Sequence, residues 1–494
     1  MKHVLAIDQG TTGSTCLVFA EDGRVVGRGY REIPQHYPRS AWVEHDANDL
    51  LRCTVEAARE AISSSGATPD AIGITNQRET VVLWERESGE PVGRAIVWQD
   101  RRTAARCAEL ASNPETVDLI SERTGLVVDP YFSSTKLEWM LARGDLRERA
   151  RRGELLAGTV DSWLVWRLTG GAVHATDYTN ASRTMLFDTA ELRWSQELCE
   201  LFGVPLTILP EARRSSGDFG VARAEWFGRE IPITGIAGDQ QAALFGQGCC
   251  KEGEGKNTYG TGAFVLLNLG QSRPAPVGGL LTTIACDASG GPAYAMEGAI
   301  FIAGAAVQWL RDGLGILESA AETESLASGL ESTDGVYFVP ALAGLGAPHW
   351  APDARGTIVG LTRGTTRAHL ARAALEAMAY STADVLTLMR ERGGVVFERL
   401  RVDGGAAAND WLMQFQADVL GVPVERPDIV ETTALGAAGL AGIAGGVWSS
   451  ADAFMSKRDF DCFQPGAGSA AAREGAREWD RAVRAALAWA RDAR

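Results

Sequence analysis

Three short glycine-bearing turns, each standing where a strand pattern stops, constrain this chain more than any other feature. They are Ile7-Asp8-Gln9-Gly10-Thr11-Thr12-Gly13, Tyr259-Gly260-Thr261-Gly262 and Val402-Asp403-Gly404-Gly405. Glycine admits positive φ and carries no Cβ, so backbone amides can close on a bulky anion. Threonine hydroxyls beside them donate to the same oxygens, and a nearby carboxylate can orient a hydrated cation. The first turn follows the apolar run Val4-Leu5-Ala6-Ile7, and the chain resumes as strand through Cys16-Leu17-Val18-Phe19. Lys256-Asn257-Thr258-Tyr259 and Ala263-Phe264-Val265-Leu266-Leu267 frame the second in the same way. Both read as hairpins with Gly/Thr tips. Neither Gly-x-x-x-x-Gly-Lys-Ser/Thr nor a Gly-x-Gly-x-x-Gly opening a helix is present. One such turn suits an ordinary β-hairpin. Three, spread over both halves of the chain, predict a nucleotide held in a cleft between two lobes.

Composition bounds that reading. At 494 residues the chain exceeds one core and predicts two to four domains. Hydrophobic residues at 45% and charged residues at 22% fit an ordinary globular protein. A net charge of −15 argues against sequence-independent nucleic-acid binding, which needs a basic surface to displace counterions. It leaves room for an anionic substrate such as ATP, since a local site and a cation override the overall field. The eight cysteines form no Cys-x-x-Cys pair and no zinc spacing, so they read as buried thiols in a reducing compartment. The N-terminus reaches Asp8 after a few apolar residues, unlike a signal peptide. Thr432 to Ser450, rich in Ala and Gly, suits a closely packed buried helix better than a membrane span. A cytoplasmic protein is expected.

Strand and helix signals alternate through both halves, which predicts an α/β architecture. Leu51, Val55, Ala58 and Ile62 recur at helical spacing, followed by strands over Ala71–Thr75, Val81–Trp84 and Ala95–Trp98. Ala368 to Arg390 predicts a long helix, Leu400-Arg401-Val402 a strand, and Asn409 to Leu420 a further helix. The run Arg147 to Glu154 reads as a solvated helix surface. The polar, glycine-rich stretch Gly246 to Lys256 is the candidate boundary between lobes at 1–247 and 248–494.

The most pointed chemistry lies in Gly235-Ile236-Ala237-Gly238-Asp239-Gln240-Gln241, where a strand ends and Asp239 stands at the start of a helix. Asp239 there can be a helix N-cap. It can also be a general base, kept ionised by the helix terminus and ready to take a hydroxyl proton during phosphoryl transfer. The adjacent Arg78-Glu79 reads either as a surface ion pair of little worth or as part of a polyol pocket. A polyol needs donors and acceptors around each hydroxyl and an apolar wall along its carbons. Arg78, Glu79, Asp239 and Gln240 offer the polar set, and Trp98, Tyr131 and Phe264 the walls, although such aromatics also serve as plain core.

With these residues in view, the chain resembles the FGGY carbohydrate kinases of the actin/hexokinase/heat-shock-70 superfamily and, within them, the glycerol kinase subfamily. The resemblance runs from about Val4 to Val447. It rests on Tyr131–Met140 and Gly356–Glu376, and on the narrower strings Gly73–Thr80, Val128–Ser133, Asp177–Thr184 and Gly238–Phe245. It implies two ribonuclease-H-like, actin-like ATPase lobes around a central cleft. The implied reaction is ATP-dependent phosphorylation of glycerol to sn-glycerol 3-phosphate, in glycerol catabolism, with Asp239 as base. Glycerol would lie against Arg78, Glu79, Tyr131, Asp239 and Gln240, with Trp98 and Phe264 along its carbons. ATP would lie against Thr11, Thr12, Gly13, Thr261, Gly304, Gln308, Gly405 and Asn409, and Asp8 would position Mg²⁺ through water. A homodimer or homotetramer is implied.

Two features depart from the subfamily pattern. Thr15 stands where many members carry an arginine, which removes one phosphate contact. The loop Val221 to Arg229 lacks both the glycine run that binds fructose 1,6-bisphosphate in enterobacterial members and the phosphorylated histidine of Gram-positive ones. Neither control is therefore expected. Two other functions fit parts of the pattern: a kinase for another polyol or sugar, such as a xylulokinase-like enzyme, and an actin-like ATP switch without small-molecule kinase activity. The Arg78-Glu79 pair and bulky Trp98 and Phe264 favour a three-carbon site, and a switch needs no base beside a polyol pocket.

Overall fold

The apolar run before the first turn and the one after it pair with each other, and this hairpin founds the first of two sheets. A computed structural model describes residues 1–429, 431–456 and 458–492. Strands β1 (His3–Gln9), β2 (Gly13–Ala20) and β3 (Val25–Glu32) form an antiparallel meander. β4 (Ala71–Asn76) and β6 (Ile231–Gly238) continue it in parallel, and β5 (Val221–Ala222) closes the edge, giving the order β5-β6-β4-β1-β2-β3. Nearly every residue of β1 and β4 is buried, as expected of central strands covered on both faces.

The second sheet repeats the plan. β7 (Gly255–Tyr259), β8 (Ala263–Asn268), β9 (Leu281–Cys286) and β10 (Pro292–Ile300) are antiparallel. β11 (Leu400–Asp403) and β12 (Val424–Pro427) add in parallel and β13 (Phe460–Phe463) closes, in the order β9-β10-β8-β7-β11-β12-β13. Two α/β halves, each a mixed sheet flanked by helices, give the actin-like ATPase fold expected of the sequence.

The helix Thr432–Ala444 lies against the first sheet, not the second. Thr234 Oγ1 donates to the Ala441 carbonyl at 2.9 Å, and a Cβ at Gly73 would lie 2.1 Å from the Ala437 carbonyl oxygen. Small residues let helix and strand backbones touch, which explains the Ala/Gly composition of this helix. Among the described residues no helix is long and apolar enough to cross a membrane. All eight cysteines are free; six are buried as expected, whereas Cys462 is exposed and Cys250 half-buried.

Three local expectations need correction. The strand at Ala95 is only Ala95–Ile96, so Trp98 stands beyond it. The stretch Gly246 to Lys256 is not polar linker throughout: β7 begins at Gly255, and pairing with β8 and β11 buries Lys256 completely. The helix expected from Asn409 starts at Asp410, because Asn409 is its cap and its Oδ1 accepts from Leu412 N at 2.9 Å.

Candidate active site

Both hairpins stop one pair short of their tips, at Gln9 opposite Ser14 and at Tyr259 opposite Ala263. Gly10 N donates to Gly13 O at 2.9 Å across a four-residue turn, and Gly260 N to Gly262 O at 2.8 Å across a three-residue one. Thr12 and Thr261 are exposed at the tips. Thr11 is half-buried, and its Oγ1 accepts from Trp98 Nε1 at 2.9 Å, which leaves the threonine proton for another acceptor. The second turn also caps a helix: Ala303 N and Ala305 N donate to Thr261 O, and Gly304 N to Gly260 O. These carbonyls satisfy amides that the start of Gly304–Gln308 would otherwise leave free. Gln308 is exposed at the far end of that helix.

The third turn packs directly on the second. Gly404 has φ 85°, and a Cβ there would lie 2.3 Å from the Tyr259 carbonyl oxygen, so only glycine fits. Gly405 faces open space. Besides capping its helix, Asn409 donates from Nδ2 to Thr323 Oγ1 at 3.3 Å.

Below the turns lies a buried ionic cluster. Arg78, expected as half of a pair with Glu79, has its Nε 3.9 Å from Glu79 Oε1 and is held by other residues. Its Nη1 donates to Glu297 Oε2 at 2.6 Å and its Nη2 to Glu297 Oε1 at 3.2 Å. Longer bonds reach Gln241 Oε1 at 3.3 Å and Tyr131 Oη at 3.4 Å. Glu79 pairs instead with Arg183, Nε to Oε1 at 2.7 Å, and Arg183 Nη2 also reaches Glu297 Oε1 at 3.0 Å. Arg78, Glu79, Arg183 and Glu297 are all 2% exposed or less, which excludes the surface-pair reading. Glu79 has φ 61°, a conformation that a non-glycine residue keeps only where its surroundings fix it. Burial pushes the Glu297 carboxyl up, but Arg183 and Arg78 outweigh this and bring it down to about 2. Burial raises Glu79, with its two arginines opposing.

Asp239 is the first residue of the helix Asp239–Gly246, and the N-cap is Gly238, which offers no side chain; the N-cap reading is corrected accordingly. The Asp239 carboxylate lies 3.1 Å from Arg78 Nε, accepts from Gln240 N at 2.7 Å and is one-third exposed. An ionised carboxylate at a helix start, beside a guanidinium and open on one side, can take a proton from an incoming hydroxyl. Trp98 and Tyr131 meet edge to face, with ring centroids 5.6 Å apart. Phe264 is half-buried on β8 against Leu244, Cys249, Leu266, Ala285 and Ala295. Asp8, at the end of β1, is pushed up to about 7 by burial and by the Asp239 charge.

Comparison with known proteins now decides the family. The N-terminal domain of the FGGY family of carbohydrate kinases matches residues 3–246, and the C-terminal domain of that family matches residues 255–445. The glycerol kinase of Bordetella parapertussis is 54% identical over 502 residues, covering 100% of this chain and 98% of that relative. This chain belongs to the FGGY carbohydrate kinases, in the glycerol kinase subfamily. A glycerol kinase of Plasmodium falciparum, solved with ADP, has a TM-score of 0.92 at 34% identity, covering 99% of this chain and 98% of that one. A xylulose kinase from Lactobacillus acidophilus, at 20% identity, shares the fold with a TM-score of 0.88 over 99% of each chain. The FGGY fold therefore gives an ATP-binding small-molecule kinase, and the choice of polyol has to come from the pocket.

In this FGGY kinase, three buried residues of the cluster lay outside the sequence-derived set: Arg183, Glu297 and Lys256. Lys256 Nζ donates to Gln240 Oε1 at 2.5 Å and to Thr258 Oγ1 at 2.6 Å, and burial lowers its ammonium to about 8. Each left a trace in the sequence. Glu297 is the lone charge in the strand Pro292–Ile300. Lys256 is the lone charge in the strand Gly255–Tyr259, and Arg183 is the lone charge in the run Tyr178–Thr184. A charge inside an apolar element needs a distant partner.

Proposed function

We propose that this kinase transfers the γ-phosphoryl group of ATP to a terminal hydroxyl of glycerol, giving sn-glycerol 3-phosphate and ADP, in glycerol catabolism. One observation carries the reading: the partly exposed Asp239 carboxylate stands 3.1 Å from buried Arg78, and Arg78 in turn bonds Tyr131. That grouping supplies a base, donors and a ring wall within the reach of a three-carbon chain. In the proposed step Asp239 takes the hydroxyl proton while the new O–P bond forms and the bond from the γ-phosphorus to the β–γ bridging oxygen breaks. Arg78, Glu79, Tyr131 and Gln240 would orient the hydroxyls, with Trp98 and Phe264 excluding water along the carbons.

The lobe of residues 1–247 would bind the polyol and phosphates, and that of 248–494 the nucleotide. Thr11, Thr12 and Gly13 would face the phosphates from one side and Thr261 from the other, with Gly304, Gln308, Gly405 and Asn409 along the nucleoside. When bound, Mg²⁺ would offset the charge of the ATP phosphates. Among the described residues no group of three His, Cys, Asp or Glu could hold a metal. An ion held by Asp8 through water, with further oxygens from ATP, fits that sparse set. The raised Asp8 carboxyl supports it, since a cation there would relieve its repulsion with Asp239. The free cysteines support a cytoplasmic setting.

ADP formation by purified protein with Mg²⁺-ATP, with and without glycerol and beside xylulose, erythritol and dihydroxyacetone, tests the reading. Glycerol is expected to give the largest kcat/KM. A larger value for another polyol, or equal turnover without one, refutes it.

A further inference from the structure

Two of the groups assigned to the polyol have their closest polar partners in the other half of the chain. Arg78 and Gln240 belong to the segment that builds the first sheet, whereas their closest polar partners, Glu297 and Lys256, stand on β10 and β7 of the second. Lys256 donates only, so its Nζ at 2.5 Å fixes Gln240 with Oε1 inward and leaves Nε2 as a free donor. Glu297 accepts from both Arg78 Nη atoms and from Arg183 Nη2, which sets the plane of the Arg78 guanidinium and leaves Nε beside Asp239. Both second-sheet residues are fully buried.

We propose that Lys256 and Glu297 are positioning residues that reach across from the second sheet and orient Gln240 and Arg78 for the polyol. The pocket is then complete only when the two sheets are in register. A buried ion pair is weak evidence for stability, because desolvation offsets most of its attraction. Orientation of the substrate donors is a use that such a cost can serve. The inference rests on the reading above that Arg78 and Gln240 hold the polyol.

Lys256→Met, which keeps the length and removes the donor, is expected to raise glycerol KM about tenfold, the scale of one charge-assisted hydrogen bond. It should leave the ATP KM within about twofold of wild type. In a Gln240→Ala background the same substitution should change glycerol KM by less than about twofold, because the residue through which it acts is gone. An unchanged glycerol KM overturns the inference. So does an equal factor in both backgrounds, or a parallel rise in the ATP KM, which would mark general loosening. Glu297→Gln, melted alongside, is the second variant and should show the same selective loss of glycerol. If both variants unfold below the assay temperature, the pairs are structural only and the inference fails. Wild-type protein that turns over no faster with glycerol sinks the substrate reading instead, and the variants are then compared on the preferred polyol.

Discussion

The two hairpin turns differ in length, four residues between Gln9 and Ser14 against three between Tyr259 and Ala263, and they carry their carboxylates on different strands. In the first sheet Asp8 of β1 lies opposite Thr75 of β4; in the second, Thr258 of β7 lies opposite Asp403 of β11. The acid has changed places with the hydroxyl, and its surroundings have changed with it. Asp403 is raised by burial, but Lys256 opposes that shift and the Thr432 hydroxyl donates to its Oδ2. The charge acting on Asp8 is Asp239, which is also negative. One turn thus keeps a carboxylate that gains from an added cation, while the other has its charge balanced inside the protein. On the proposed reading, the first turn handles the metal and the second serves lobe structure.

Replacing each acid by its amide separates those roles. Asp8→Asn is expected to raise the Mg²⁺ concentration for half-maximal rate at least about tenfold, the usual scale for an outer-shell ligand. Asp403→Asn should leave that concentration within about twofold but lower the melting midpoint by several degrees, because Lys256 loses its buried counter-charge. A steady-state Mg²⁺ titration with a thermal melt of each variant checks both. Exchanged phenotypes would break the comparison.

A smaller effect follows from pH. The folded-state carboxyl of Asp8 is raised from 3.8 to about 7, so between those values the folded protein holds a proton that the unfolded chain has released. Without a cation, stability contributed by this group falls as pH rises through that window and is lowest above about 7. Asp8→Asn should therefore raise the melting midpoint more at pH ~8 than at pH ~5 in metal-free buffer. Equal gains at both would mean that Asp8 is not the group responsible.

The smallest effects concern the glycines. A Cβ at Gly404 meets the Tyr259 carbonyl oxygen at 2.3 Å with φ 85°, so Gly404→Ala should cost about 1–3 kcal/mol. A Cβ at Gly13 meets the Tyr30 side-chain hydroxyl at 2.5 Å, and Tyr30 is 49% exposed and free to swing away. Gly13→Ala should therefore melt closer to wild type than Gly404→Ala. The reverse order would contradict the packing of the third turn on the second.

The turns were legible in the sequence because Gly, Thr and Asp act there through their own backbone neighbourhood, within a few residues. Asp239 was legible for the same reason, although the chain gives the cap to Gly238. The partners of Arg78 were not. The sequence sets Glu79 beside it, yet the left-handed backbone at Glu79 accompanies a pairing with Arg183, and Arg78 bonds Glu297 219 positions away. Lys256 was hidden differently, in a stretch whose glycines and charges resemble a linker until strand pairing buries it. Long-range partners of buried charges depend on which strands lie side by side, and that order is not written in any one segment.

Asp239→Asn tests the central claim most directly. With glycerol and Mg²⁺-ATP saturating, kcat is expected to fall at least about a hundredfold, the scale for losing a general base. Calorimetric dissociation constants for glycerol and ATP should stay within about threefold of wild type. A variant whose kcat remains within about threefold of wild type would contradict the claim and leave Asp239 as no more than an ionic partner of Arg78.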